Sequence, residues 1–136
     1  MSRPAHLALC VLLVVSWCSG QDHVLTVQDA REILDQHNDY RREEGAADMY
    51  LLHWNTSLQE RANTWAHKCN FRHEHNIDVG ENLFFDNDHK EKVLMRGLKA
   101  WFVEKELWSF AMPTCGDACH YTQVQVYLWW LTGALL

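Results

Sequence analysis

His120-Tyr121-Thr122-Gln123-Val124, taken with Gly80-Glu81-Asn82-Leu83 and Trp101-Phe102-Val103-Glu104, is the set of stretches on which the reading of this chain turns. Together with His73 they offer two imidazoles and two carboxylates to one pocket, from His73, Glu81, Glu104 and His120. Neutral imidazoles with carboxylate oxygens suit a borderline divalent cation such as zinc, and so few protein nitrogens leave coordination positions open for water or a ligand. A plainer role stands beside this one, because Glu81 and Glu104 are equally suited to bonding backbone amides and holding the fold together.

Outward from these stretches, the apolar spacing predicts three helices and two short extended segments. Thr26, with Asp29 three residues on, caps a first helix whose Ile33, Leu34, His37 and Tyr40 share a face and which Gly45 ends. Met49 to Trp54 reads as a short strand or extended segment. Asn55 or Ser57 starts a second helix, with Glu60 completing a capping box from Ser57, and Leu58, Ala62, Trp65, Ala66 and Cys69 form its buried stripe. Asn70 to Asp88 breaks the periodicity and reads as a long irregular connection, the kind that carries function in small domains.

A third helix spans His89 to Leu107, with Leu94, Leu98, Trp101 and Phe102 on its apolar face and Glu104 one turn beyond Trp101. Pro113 and Gly116 mark a turn, after which His120 to Trp130 reads as a strand. His37 lies on the apolar stripe of the first helix and reads as a packing residue, whereas His67, His75 and His89 have polar neighbours and read as surface groups. Trp54, Trp65 and Trp101 read as core. No internal repeat or low-complexity tract is visible.

Arg3, the apolar run from Leu7 to Trp17 and the small residues Cys18, Ser19 and Gly20 have the layout of a cleaved secretory signal. Residues 1–20 are therefore expected to be removed and the product to be extracellular. The run is shorter than the ~20 residues a bilayer span needs, so no transmembrane helix is expected. What remains suffices for one small domain with one core. A formal charge of −6 and the lack of a basic stripe exclude nucleic acid as a partner. Asn55-Thr56-Ser57 is an N-glycosylation acceptor.

Of five cysteines, Cys10 and Cys18 leave with the signal, and Cys69, Cys115 and Cys119 remain. An odd number in an oxidising compartment leaves one thiol unpaired or paired with another chain. Cys115 and Cys119 flank Gly116-Asp117-Ala118 closely enough to close a small disulfide loop, with Cys69 then left over.

In its order of motifs the chain resembles the CAP superfamily of cysteine-rich secretory, antigen 5 and pathogenesis-related proteins. The residues that carry the resemblance are His37-Asn38-Asp39-Tyr40-Arg41, Leu52-His53-Trp54-Asn55, Cys69 with His73, Gly80-Glu81-Asn82-Leu83, Trp101-Phe102-Val103-Glu104 and His120-Tyr121-Thr122-Gln123-Val124. The resemblance implies an α+β fold, a three-layer α-β-α sandwich, incomplete at its C-terminal end. It implies a partial domain over residues 21–124, followed by a divergent apolar tail over 125–136. It also implies a cleft tetrad of His73, Glu81, Glu104 and His120, in which His73 and His120 bind the metal while Glu81 and Glu104 orient them or hold a metal-bound water. In the family a glycine or small polar residue precedes the strand histidine, where Cys119 stands here. Beyond Val124 the family continues with further strands and cysteines, including the expected partner of Cys69.

Three functional classes follow from this reading. The leading one is a secreted binding module, engaging extracellular proteins or lipids such as sterols, with a zinc or other divalent ion held in the cleft and no turnover. The second is a metal-assisted hydrolase, protease-like or esterase-like, in which zinc activates a water and Glu81 or Glu104 takes its proton. The third is a truncated splice form without a function of its own.

Overall fold

The computed structural model describes residues 8–9, 25–45, 49–77, 79–86, 92–109 and 116–125. In chain order these form β1 (Ala8–Leu9), α1 (Val27–Glu43), β2 (His53–Trp54), α2 (Thr56–Ala66), α3 (Val93–Val103), a 3-10 turn (Glu104–Leu107) and α4 (Cys119–Gln125).

The start of α1 is the reciprocal cap expected of its sequence. Asp29 N donates to Thr26 Oγ1 at 3.1 Å, and Thr26 N donates back to the Asp29 carboxylate at 2.8 Å. The helix ends on Gly45 with φ +64°, a left-handed conformation that glycine adopts without a side-chain clash. Ile33 and His37 are fully buried on its inner face, and Tyr40 stacks on Phe102 with ring centroids 3.9 Å apart.

The residues next to His37 tie α1 to the extended segment before β2. Asn38 forms a two-way bond with the backbone of Leu52, accepting from its N at 2.8 Å and donating to its O at 3.2 Å. Arg41 donates from Nε and Nη2 to Tyr50 O at 2.9 and 2.7 Å. Such bonds satisfy a short extended segment that has little sheet to lie in. Of the strand or extended segment expected from Met49 to Trp54, His53–Trp54 is β structure, and it pairs in parallel with Ala8–Leu9. The partner strand thus comes from within the stretch read as a leader.

Helix α2 starts at Asn55, not by a Ser57 box, because Asn55 Oδ1 accepts from both Ser57 N and Leu58 N. It ends at Ala66, so Cys69, expected on the buried stripe, falls past the last turn and is exposed, with φ +49°. Ala62 and Leu83 form a small core here with Leu58, Trp65, Ala66 and Val79 against them. Residues 71–77 and 79–86 have no helix and only an isolated bridge at Gly80, in accord with the expected irregular connection.

The main core joins Ile33 of α1, Leu94, Leu98, Trp101 and Phe102 of α3, and Ala118 and Tyr121 around α4. Burying each such large side chain contributes about 1.5–3 kcal/mol. All four apolar positions predicted for the third helix lie in this core, although the helix begins at Val93, and its last turn tightens to 3-10 from Glu104.

One element differs in kind from its sequence reading. The segment from His120, expected to be a strand, begins as helix α4 from Cys119 to Gln125; residues 126–130 lie outside the described residues. The cause is at its N-terminus, where a carboxylate from Glu104 accepts the backbone N–H groups of His120 and Tyr121. A negative charge placed there satisfies two otherwise orphaned donors and favours the helix. The α and β elements of the expected class are both present. Their proportions differ from a sandwich, because among the described residues the only sheet has two strands, while α3 packs on α1 and α4.

Candidate functional site

Each histidine of the expected tetrad is held by one of its carboxylates. His120 Nδ1 donates to Glu104 Oε1 at 2.7 Å, while Glu104 Oε2 accepts from His120 N at 3.0 Å and Tyr121 N at 3.2 Å. Glu104 stands where α3 tightens into the 3-10 turn, which sets its carboxylate against the first turn of α4. The His120 ring lies over Trp101 at a centroid distance of 6.0 Å and an interplanar angle of 24°. Trp101 is fixed in turn by its indole N–H, which donates to Leu83 O at 3.2 Å.

The second pair is built on the irregular connection. His73 Nδ1 lies 3.2 Å from Glu81 Oε2, and Glu74 N donates to Glu81 Oε2 at 2.9 Å. The Glu81 side chain is almost wholly buried at 3% exposure, whereas His73 is 63% exposed. Burial pushes the Glu81 carboxyl above the ordinary glutamate range, opposed by the Glu74 amide and by His73. Glu74 also pairs with Arg61 of α2 at 2.8 Å, which anchors the connection next to this histidine.

Two amides that carried no assigned role in the sequence join the halves. Asn82 Nδ2 donates to His120 O at 3.2 Å, and Gln123 Nε2 donates to Glu81 O at 3.0 Å. Both lie inside the quoted motifs, so their positions were visible, but their targets, 38 and 42 residues away along the chain, were not. Asn82 Oδ1 and Gln123 Oε1 are buried with no hydrogen-bond partner among the described residues. Tyr121 adds a further tie, its hydroxyl donating to Glu44 Oε2 at 3.1 Å, with Lys105 Nζ 3.3 Å from the other oxygen of the same carboxylate.

The donor set fits a divalent ion in one specific respect. With Nδ1 of each ring turned to a carboxylate, Nε2 is the nitrogen directed to a ligand, and such a carboxylate fixes the tautomer and raises ligand basicity. Among the described residues no three His, Cys, Asp or Glu side chains form a ready-made metal cluster.

The remaining histidines fall where their neighbours place them. His37 is fully buried with Nδ1 2.9 Å from Ile33 O, and desolvation lowers its pKa to about 4, with Arg41 adding to the effect. His67 and His75 are exposed, and His89 lies outside the described residues. Trp101 is core, while Trp54 and Trp65 are half-buried, with their indole N–H groups on Gln59 and Arg72 O. Cys119 Sγ lies 3.2 Å from Gly116 O, and Cys115, its expected disulfide partner, lies outside the described residues.

Comparison with known proteins places this architecture. The model of the CAP family, described as the cysteine-rich secretory protein family, matches residues 34–125. The chain belongs to this family. As a CAP protein it is 30% identical over 149 residues to cysteine-rich secretory protein 3 of Homo sapiens, an alignment covering 96% of the chain and 60% of that protein. It is 32% identical over 124 residues to peptidase inhibitor 16 of Homo sapiens, covering 87% of the chain and 27% of that protein. Against peptidase inhibitor 16 of Mus musculus the identity is 33% over 112 residues, covering 78% and 22%. The chain thus spans 60% or less of the length of each of these relatives. No solved structure matches it. Among the described residues no helix is long and apolar enough to cross a membrane.

Proposed function

We propose that this CAP protein is a secreted binding module whose cleft, lined by His73, Glu81, Glu104 and His120, takes a divalent ion and engages an extracellular protein or lipid without turning it over. The observation that carries this reading is the repeated histidine–carboxylate contact, 2.7 Å at His120 and 3.2 Å at His73, on two segments joined by the amides of Asn82 and Gln123. Glu104 and Glu81 orient the two rings, and His73 and His120 would hold the ion. Zinc, when bound, supplies a Lewis acid that draws a ligand oxygen or nitrogen to the mouth of the cleft.

Binding without chemistry fits the heavy commitment of both carboxylates to backbone amides. Glu104 accepts two main-chain N–H groups and Glu81 one, each besides its histidine, so each is occupied in holding structure. The name of the two peptidase inhibitor 16 relatives is in keeping with a protein ligand. Secretion is supported by the leader-like residues 1–20 and by the family's own description.

An ion that binds only the folded state raises stability by mass action, by about 2.7 kcal/mol at a hundredfold excess over Kd. Zinc is therefore expected to raise the melting temperature of the purified chain, and His73→Ala or His120→Ala to abolish that rise while leaving the metal-free melt within a few degrees of wild type. A wild-type melt insensitive to zinc would reject the metal role. Zinc-dependent cleavage of ester or peptide libraries, lost in the same two variants, would replace binding with hydrolysis.

A further inference from the structure

Asn55 does two things in this sequence that are usually assigned to different residues. It opens the acceptor triplet Asn55-Thr56-Ser57, and it is the first fixed point of α2. Its backbone is extended, at φ −125° and ψ 110°, while Oδ1 accepts from Ser57 N at 3.0 Å and Leu58 N at 3.2 Å. Capping uses only the carbonyl oxygen of the side chain, and glycan attachment uses only its nitrogen. Thr56, Ser57 and Glu60, which flank the position along the first turn of the helix, are exposed.

We propose that Asn55 is N-glycosylated through Nδ2 while its Oδ1 continues to cap α2. In the transfer, Nδ2 attacks the anomeric carbon of a lipid pyrophosphate-linked oligosaccharide, a C–N bond forms, the carbon–oxygen bond to the pyrophosphate breaks, and Nδ2 gives up one proton. The lipid pyrophosphate leaves with the bonding electrons. The product is still an amide, so its oxygen keeps the lone pairs that accept from Ser57 and Leu58. Transfer occurs on the emerging chain, and the folded protein then has only to accommodate the sugar, which it does beside an exposed helical turn. The inference rests on the secretory reading of residues 1–20, since the transferase works only in that compartment.

The full chain translated with endoplasmic-reticulum microsomes separates the two ideas, protease protection reporting import and endoglycosidase H reporting the sugar. Wild type is expected to be protected and to lose one glycan's mobility on digestion. Ser57→Ala and Asn55→Asp are expected to be protected but unshifted. A protected wild-type chain that does not shift, or a Ser57→Ala chain that does, overturns the modification; an unprotected wild-type chain overturns the secretory reading and the modification with it. The capping half is read on secreted, enzymatically deglycosylated protein. Asp is a cap as good as Asn, and loss of a cap lowers the melting temperature by roughly 4 °C. That drop is expected for Asn55→Gln and not for Asn55→Asp, and equal melts for the two would overturn it.

Discussion

Glu104 accepts three hydrogen bonds, two from the main chain at the start of α4 and one from the His120 ring. It is thus helix cap and histidine anchor at once. Replacing it by glutamine keeps the volume but removes the charge and turns one carboxylate oxygen into a donor that faces N–H groups. Glu104→Gln is expected to lower stability by about 1–3 kcal/mol in urea unfolding. On the proposed metal role its affinity for zinc is expected to fall 10–100-fold by titration, because the imidazole then faces a neutral amide in place of the charged acceptor that raises its basicity. An unchanged affinity with a lowered stability would assign Glu104 to the fold alone. At this scale the sequence revealed which side chains matter better than what they do. His37, Asn38 and Arg41 stood out as a spaced group, yet their common purpose is to seat α1: His37 fills the core, and the other two hold the carbonyls and amide of residues 50 and 52. No spacing rule names a backbone partner nine or fourteen residues away.

Helices α1 and α3 were legible because their caps and faces are local. Thr26, Asp29 and Gly45 mark the ends of α1, and Leu94, Leu98, Trp101 and Phe102 recur at helical spacing. Helix α4 was not, since its stabilising carboxylate comes from Glu104, sixteen residues earlier, and its own seven residues read equally well as an alternating strand. Tertiary context of this kind overrides local preference. On the other side of α3, Gly97 is buried against Phe84, where an added Cβ would stand 3.0 Å from Cδ1 and 3.1 Å from Cγ of that ring. Alanine ordinarily favours a helix over glycine by about 1 kcal/mol. Here the clash is with the root of an aromatic ring that also packs edge-on to Trp101 at 6.4 Å. Gly97→Ala is therefore expected to destabilise by about 1–2 kcal/mol in chemical unfolding, overpacking outweighing propensity. A stabilised variant would mean that Phe84 moves aside freely.

For the whole molecule, the buried His37 couples stability to acidity. In the folded chain it stays neutral down to about pH 4, whereas the unfolded chain takes up the proton near 6.5. Its stability contribution is complete above pH 6.5 and is lost as pH falls toward about 4, a total of about 3 kcal/mol. Glu81, whose carboxyl is pushed up by burial, acts in the opposite sense over the acid range, because the fold binds its proton more readily than the unfolded chain does. Urea midpoints measured from pH 7 to pH 4.5 are expected to fall for wild type. His37→Leu, which removes the titrating ring from the core, is expected to flatten that fall by about one proton's worth of slope. An equal slope in both proteins would show that the loss comes from other groups.

The crossed amides, Asn82 reaching the carbonyl of His120 and Gln123 that of Glu81, give this part of the fold an all-or-none character. Each of the two segments grips the main chain of the other, so neither can be set while its opposite is adrift. A molecule caught midway through folding lacks both ties, so on the proposed reading a ligand would sense only completed copies.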